Sequence, residues 1–204
     1  MLGRLFFALL LTAAAITGVA RAQSNDGLKT AIFAAGCFWC TEEAFDKVQG
    51  VVETTAGYTG GVLPNPTYEQ VSAGNTGHAE SVRVKYDPKR VSYEQLLDTF
   101  WHNVDPFDAG GQFCDRGSSY RGAIFFMNDE EERLATESKE KIAKQFGRPV
   151  ATEIVRATPF YSAEAYHQDY HSKNPLRYSF YKWNCGRAQR LEQIWGKKQA
   201  ETAK

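Results

Sequence analysis

The stretch Leu28-Lys29-Thr30-Ala31-Ile32-Phe33-Ala34-Ala35-Gly36-Cys37-Phe38-Trp39-Cys40-Thr41-Glu42-Glu43-Ala44-Phe45-Asp46-Lys47-Val48-Gln49-Gly50 decides how the rest of the chain is read. Its apolar run from Leu28 to Ala35 predicts a buried strand that ends at Gly36. Helical spacing follows at once, with Phe38, Thr41, Phe45 and Val48 on one side until Gly50 stops the pattern. Cys37 therefore falls where a strand hands over to the first turn of a helix. Free backbone N–H groups and the positive end of the helix dipole favour an anion there. In such places a thiol pKa can drop from about 8.5 to roughly 3.5–7.5, so Cys37 is expected to be a lowered, reactive thiol. Cys40, three residues on, can reach the same helical face, and Phe38 and Trp39 fill the gap.

Working outward, Val51 to Thr59 reads as a strand, and Gly60-Gly61 with Pro64-Asn65-Pro66 forces a loop. Tyr68 to Gly77 is short and turn-rich. His78 to Tyr86 alternates, with Val82, Val84 and Tyr86 on one face, and is a strand ended by Asp87-Pro88. Ser92 and Gln95 form a capping box ahead of a helix running to about His102. Residues 104–120 read as a long loop, a length that in compact domains usually carries function. Arg121 to Met127 is the next strand, Asp129 opens a charged helix closed by Gly147, and Val150 to Arg156 is a further strand. Beyond Pro159 the chain is aromatic-rich, with short helical stretches near 163–172 and 187–195.

The order to residue 127 is β-α-β-β-α-β, the split βαβ arrangement. The predicted fold is α+β: a two-layer sandwich with a ferredoxin-like core, an extra helix and strand, and an irregular C-terminal wrap. No internal repeat or second domain boundary is visible, so residues 23–204 are expected to form a single catalytic domain.

The first 22 residues stand apart. Arg4, the apolar run Leu5 to Val19 and Ala20-Arg21-Ala22 match the n-region, h-region and cleavage site of a secretory signal peptide. The run is shorter than the ~20 residues a spanning helix needs, so export, to the periplasm, is expected rather than anchoring. The whole chain balances 24 basic against 24 acidic residues; without residues 1–22 the balance is 22 against 24. Such neutrality gives no charge-based case for nucleic acid or an acidic membrane surface as a partner. A monomer without stable membrane association is expected.

Four cysteines follow the cleavage site: Cys37, Cys40, Cys114 and Cys185. In an exported chain an even count suggests disulfides, but 204 residues can build a core without staples, and catalysis better accounts for at least one pair. A wall of Phe38 and Trp39 beside Cys37 suits a small apolar group, such as a methyl, next to the atom attacked. Polar candidates stand where loops meet strands: Tyr68, Glu80, and the pair Asp115 and Tyr120 around a glycine-containing loop end. Singly, a carboxylate or tyrosine at a strand end is usually solvated or capping. His78, His167 and His171 read as structural. Cys114 reads as a packed free thiol.

The strings GCFWC, GYTGG, NPTYEQV, TGHAESVRVKYDP, DPFDAGGQFCDRGSSYRGAIF and TPFYSAEAYHQDYHSKNP resemble the peptide methionine sulfoxide reductases of the A type, in the same order over most of residues 30–175. Such enzymes reverse methionine oxidation. The resemblance implies Cys37 as nucleophile, Glu80 as the acid that donates to the sulfoxide oxygen, and Tyr68 and Tyr120 as hydrogen-bond donors, with Asp115 ordering the site. It implies that Phe38 and Trp39 enclose the methyl and select the S epimer. The substrate would be oxidised protein or free methionine sulfoxide. A second thiol would resolve the Cys37 sulfenic acid, and a thioredoxin-like donor would restore the dithiol. No metal or organic cofactor is required.

Two departures bear on the resolving thiol. Many members carry Gly where this chain has Cys40, and the family's cysteine pair in a Gly-rich tail is absent. The family commonly resolves from its C-terminal region, so Cys185, on a tail expected to be mobile, is the first candidate and Cys40 the rival. Two other functions fit the sequence less well. A general Cys-x-x-Cys oxidoreductase leaves Glu80, Tyr68 and Tyr120 without roles. A structural zinc site would need two close-spaced pairs, whereas Cys114 and Cys185 are isolated.

Overall fold

The computed structural model of the protein describes residues 27–196, so the expected signal peptide lies outside the described residues. Strand β1 (Lys29–Ala35) ends at Gly36, and helix α1 (Phe38–Asp46) begins two residues later. Gly36 has φ 80°, in the left-handed region, and a Cβ there would sit 2.5 Å from the Gln112 side chain. Only glycine makes that corner without strain.

The elements that follow are β2 (Val51–Thr59), α2 (Tyr68–Ser72), β3 (Ala79–Tyr86) and α3 (Tyr93–Trp101). Ser92 caps α3 in a full capping box with Gln95, as its sequence predicts. The short strands β4 (Gly111–Gln112) and β5 (Asp115–Arg116) and a 3₁₀ turn at Ser118–Tyr120 lead into β6 (Gly122–Phe126). Then come α4 (Asp129–Phe146), β7 (Glu153–Arg156), β8 (Tyr161–Ser162), α5 (Tyr170–Lys173), α6 (Pro175–Asn184) and α7 (Arg187–Trp195).

The six-stranded sheet runs β7-β6-β1-β3-β2-β8. Its central four strands, β6-β1-β3-β2, pair antiparallel throughout, which is the ferredoxin-like order; β7 adds parallel to β6 and β8 antiparallel to β2. Alternation along β1 explains the layering. Ala31, Phe33 and Ala35 face the main core with Phe45, Leu96, Phe100 and Ala135 of the helices. Ile32 and Ala34 face a smaller cluster with Ala123 and Phe125 on the other side. Phe33 stacks on Phe45 at 4.8 Å and Phe100 at 5.5 Å between ring centres, so β1, α1 and α3 share one packing unit. Burying such a ring contributes about 1.5–3 kcal/mol.

Two expectations change. Residues 104–120 are no plain loop, since β4, β5 and the 3₁₀ turn order their second half. The C-terminal region is more regular than expected: besides α7, which lies where the sequence places a helix, α5 and α6 occupy most of 170–184, with Pro175 opening α6 and left-handed Gly186 dividing α6 from α7. Helix α6 buries Tyr178 alone, so its apolar residues form no inward stripe for a periodicity reading to find. Cys185, expected on a mobile tail, caps α6, its N–H donating to the Tyr181 carbonyl at 2.9 Å. Among the described residues, no helix is long and apolar enough to cross a membrane.

Candidate active site

Cys37 occupies the N-cap of α1. Its carbonyl accepts the N–H of Cys40 and of Thr41, each at 3.2 Å, and the Thr41 hydroxyl at 3.1 Å. The Phe38 N–H, free of any helical partner, donates instead to a Glu80 carboxyl oxygen at 3.0 Å. Glu80 reaches it from the start of β3, opposite Tyr58 in the sheet register. The free N–H at this helix start is thus taken up by a carboxyl group of the chain itself and not by a thiolate. Burial pushes the Glu80 pKa up to about 8, against the pull of the Phe38 N–H and with the nearby Asp115 charge adding to the rise. Near neutral pH Glu80 therefore holds a proton.

Both nearby thiols are free and buried, packed with Tyr178 behind Trp39, Tyr170 and Tyr181. The expected lowering of Cys37 is not found. Burial, its hydrogen bond with Cys40, and the Cys40, Glu80 and Asp115 charges all push its thiol up. Cys40 is the sulfur drawn down, to about 6, by that hydrogen bond and, against its burial, by Arg187, Tyr178 and Lys182. The two sulfurs share a hydrogen bond, which pushes the Cys37 thiol up and draws the Cys40 thiol down.

Around Glu80 stand the oxygen-bearing groups that its sequence context singles out. Tyr68 opens α2, Tyr120 closes the 3₁₀ turn and Asp115 lies in β5. Burial raises Tyr68 and Tyr120 above the ordinary phenol value, the Glu80 charge adds to both, and the two hydroxyls interact. Both remain donors across the neutral range. Glu164 steadies this wall, accepting the Tyr68 N–H at 2.9 Å and the Tyr58 hydroxyl at 2.8 Å. Asp115, raised by burial, accepts the Tyr181 hydroxyl at 2.5 Å. Cys37, Glu80, Tyr68, Tyr120 and Asp115 thus meet in one place, although 83 positions of sequence separate the first from the last.

The C-terminal region supplies three residues to which the sequence assigns no role, Tyr170, Tyr178 and Tyr181, together with His167. Trp39 donates its indole N–H to His167 Nδ1 at 3.1 Å and stacks on Tyr170 at 3.8 Å with a 9° tilt. Phe38 packs beside His167 at 4.9 Å and Tyr68 at 6.4 Å between ring centres. His167 is pushed down by burial, and because Nδ1 accepts, its proton sits on Nε2. His167, read as structural from its sequence, holds Trp39 in the aromatic wall. His78 is indeed a scaffold, accepting the Gly61 N–H on Nδ1 and bonding the Leu63 carbonyl through Nε2.

Cys114 and Cys185 are joined by a disulfide with Cα atoms 4.9 Å apart. This corrects Cys114 as a packed free thiol and Cys185 as a free thiol waiting near Cys37. It also removes two of the four thiolates that a shared zinc site would need.

The sequence profile of the peptide methionine sulfoxide reductase family matches residues 29–199. The chain belongs to this family. A peptide methionine sulfoxide reductase MsrA of Bacillus licheniformis is 51% identical over 173 residues, 84% of this chain and 96% of the relative. One from Bacillus subtilis is 49% identical over 82% of this chain and 96% of its own length. Among solved structures, methionine sulfoxide reductase A of Corynebacterium diphtheriae superposes with a TM-score of 0.68 at 34% identity, covering 79% of this chain and 81% of that one. The reduced form of Mxr1 from Saccharomyces cerevisiae gives 0.69 at 34% identity, covering 73% and 87%. This methionine sulfoxide reductase, of the A type, therefore carries its Cys37–Glu80 pairing on the fold those structures share.

Proposed function

We propose that this chain performs its family's reaction, reducing methionine S-sulfoxide in oxidised proteins to methionine, through Cys37, Glu80 and Cys40. The observation that carries the reading is a carboxyl kept protonated beside a nucleophilic sulfur. A sulfoxide sulfur is electrophilic, and its oxygen leaves only when protonated. With the sulfoxide methyl against Phe38 and Trp39, its oxygen faces Glu80, Tyr68 and Tyr120. Cys37 gives its proton to the Cys40 thiolate and attacks sulfur as Glu80 protonates the oxygen. The oxygen ends on Cys37 as a sulfenic acid and methionine departs. Cys40 then attacks the Cys37 sulfur, water leaves, and a Cys37–Cys40 disulfide remains. Asp115 and Tyr181 order the tyrosine wall. A thioredoxin-like protein dithiol restores the two thiols.

Cys40 takes the resolving role here because its sulfur touches Cys37, whereas Cys185 is already bonded to Cys114. The test is turnover of the separated S and R sulfoxides with dithiothreitol as reductant. Wild type should reduce the S form, and Cys37→Ser should reduce neither. Turnover by Cys37→Ser, or equal use of both epimers, contradicts the reading.

The mature protein starts near Gln23 and works in the periplasm. What supports this is the series Arg4, Leu5 to Val19 and Ala20-Arg21-Ala22. Intact-mass measurement of protein from the periplasmic fraction should show loss of residues 1–22; an intact Met1 terminus in the cytosol contradicts it.

A further inference from the structure

Helix α1 carries a buried carboxyl that the proposed chemistry does not use. Glu42 is 0% exposed, one turn along the helix from Trp39. An acid so deep is rare and costs stability unless its oxygens find partners. One of them, Oε2, accepts the Asp169 backbone N–H at 2.9 Å, across 127 positions of sequence. The other, Oε1, is buried without a hydrogen-bond partner among the described residues. Burial, then the Asp46 and Asp169 charges, push the Glu42 pKa up to about 8, so near neutral pH the group carries a proton. An acceptor stands opposite. His171 Nδ1 lies 4.0 Å from Glu42 Oε2 and is likewise buried and unpartnered. His171 Nε2 faces Asp46 Oδ2 at 3.5 Å, which places the ring proton on Nε2 and leaves the Nδ1 lone pair free. The charged groups around Glu42 are therefore Asp46 on its own helix and Asp169, His171 and Lys173 on the segment across from it.

What Glu42 holds adjoins the methyl pocket. Asp169 has φ 53°, in the left-handed region that residues other than glycine enter sparingly and only where their surroundings hold them. It is the N-cap of α5, whose first residue is Tyr170. The Tyr170 ring lies flat on Trp39, 3.8 Å between centres. Trp39 also donates its indole N–H to His167, at the other end of the same short segment. The contacts close a circuit. Trp39 meets Tyr170 by stacking, Tyr170 follows Asp169 in the chain, Asp169 is bonded to Glu42, and Glu42 returns to Trp39 through one turn of helix.

We propose that Glu42 is a positioning residue for the sulfoxide: its carboxyl anchors Asp169 and Tyr170, and through their stack it keeps Trp39 in place against the methyl group. This rests on the reductase reading above and assigns part of its substrate binding to a group that touches neither sulfur. A small turn of the carboxyl lets its O–H donate to His171 Nδ1 while its other oxygen keeps the Asp169 N–H, so both unpartnered atoms are satisfied by one bond. Without the anchor, Asp169 relaxes out of its left-handed conformation and Tyr170 leaves the Trp39 ring, which is then tethered by His167 alone. Sulfoxide binds less well. Once bound it reacts as before, because the Phe38 N–H still holds Glu80 beside Cys37.

The test is single-turnover methionine formation by the reduced full chain over a range of methionine S-sulfoxide concentrations, which needs no reductant during the reaction. Glu42→Met fills the volume but removes the acceptor, and should raise the half-saturating concentration roughly 2–10-fold with the limiting rate little changed. Glu42→Gln keeps an oxygen for the Asp169 N–H and an N–H for His171 Nδ1, and should restore wild-type half-saturation. Tyr170→Leu should raise half-saturation as Glu42→Met does, and the double variant should go no further, because both act through one contact. An unchanged half-saturation in Glu42→Met, a fall in the limiting rate in its place, or full multiplication of the two effects overturns the proposal. Should Glu42→Met not fold, Tyr170→Leu decides, since wild-type half-saturation there would leave Glu42 no wall to hold. A second readout is the Trp39 indole N–H resonance, assigned by its loss in Trp39→Phe. It should move in Glu42→Met and stay in Glu42→Gln, and a resonance unmoved in Glu42→Met overturns the proposal whether or not sulfoxide is reduced. Absence of methionine formation by wild type would instead count against the reductase reading.

Discussion

The Phe38 backbone N–H donates to the Glu80 carboxyl at 3.0 Å, tying the first helical turn to the start of β3 across 42 positions of sequence. This one bond sets the acid beside the nucleophile, because Phe38 follows Cys37 directly. It also takes up the N–H that would otherwise favour a thiolate at the helix start.

Glu80→Gln should keep the bond, since an amide oxygen also accepts, while removing the proton donor. Single-turnover reduction should slow by about 10²–10⁴, the usual cost of losing a general acid. In wild type that rate should fall as pH rises through about 8, where Glu80 gives up its proton. The variant should lack this alkaline limb, and stopped-flow rates across pH would show it. The same limb in both proteins would mean that another group is the acid.

His167→Ala should unseat Trp39 from its indole hydrogen bond without touching either thiol. A lost hydrogen bond of this kind costs about 0.5–1.5 kcal/mol, so KM for the sulfoxide should rise roughly 2–10-fold with kcat little changed. A fall in kcat with KM constant would show that His167 serves the chemical step instead.

Glu42 makes stability depend on pH. Buried in α1, it accepts the Asp169 N–H at 2.9 Å. Burial, then the Asp46 and Asp169 charges, push its pKa to about 8 from an ordinary 4.5. Between those values the folded chain binds more protons than the unfolded one, so stability declines as pH rises from about 4.5 to about 8. Glu80 acts in the same direction. Glu43 opposes them at low pH: against its burial, Lys182, Tyr178 and Lys47 hold it at about 2, and that contribution is lost as pH falls below its ordinary value. The thermal midpoint of wild type should therefore fall between pH 5 and pH 8, and Glu42→Gln should fall less steeply. Equal slopes in the two proteins would contradict the assignment.

The core was legible because β1 is an apolar run, Val82, Val84 and Tyr86 alternate along β3, and Ser92, Gln95 and Gly147 punctuate their helices. Local chemistry stops there. Nothing near Cys114 announces a partner 71 residues away, and α6 turns Leu176, Phe180 and Trp183 outward, so apolar spacing misreports which face is buried. The thiol failed for a similar reason. Helix position alone argues for a lowered Cys37, but Glu80 occupies the Phe38 N–H, and burial, then the neighbouring Cys40 sulfur, push the thiol up. His167, Tyr170, Tyr178 and Tyr181 lie too far along the chain for spacing to connect them with Trp39. They were visible only as the string HQDYHSKNP and the aromatic run after it.

The central claim, that Cys37 attacks and the adjacent Cys40 resolves, is tested most directly by mapping disulfides after one turnover. Reduced enzyme is mixed with excess S-sulfoxide and no reductant, quenched in acid with a thiol-blocking reagent, digested and analysed by mass spectrometry. The account predicts one methionine formed per chain, a new Cys37–Cys40 bond, and, in Cys40→Ser, one methionine with a sulfenic acid on Cys37. A Cys37–Cys185 bond as the first product, or a Cys40→Ser variant that forms a disulfide at Cys37 as fast as wild type, would contradict it.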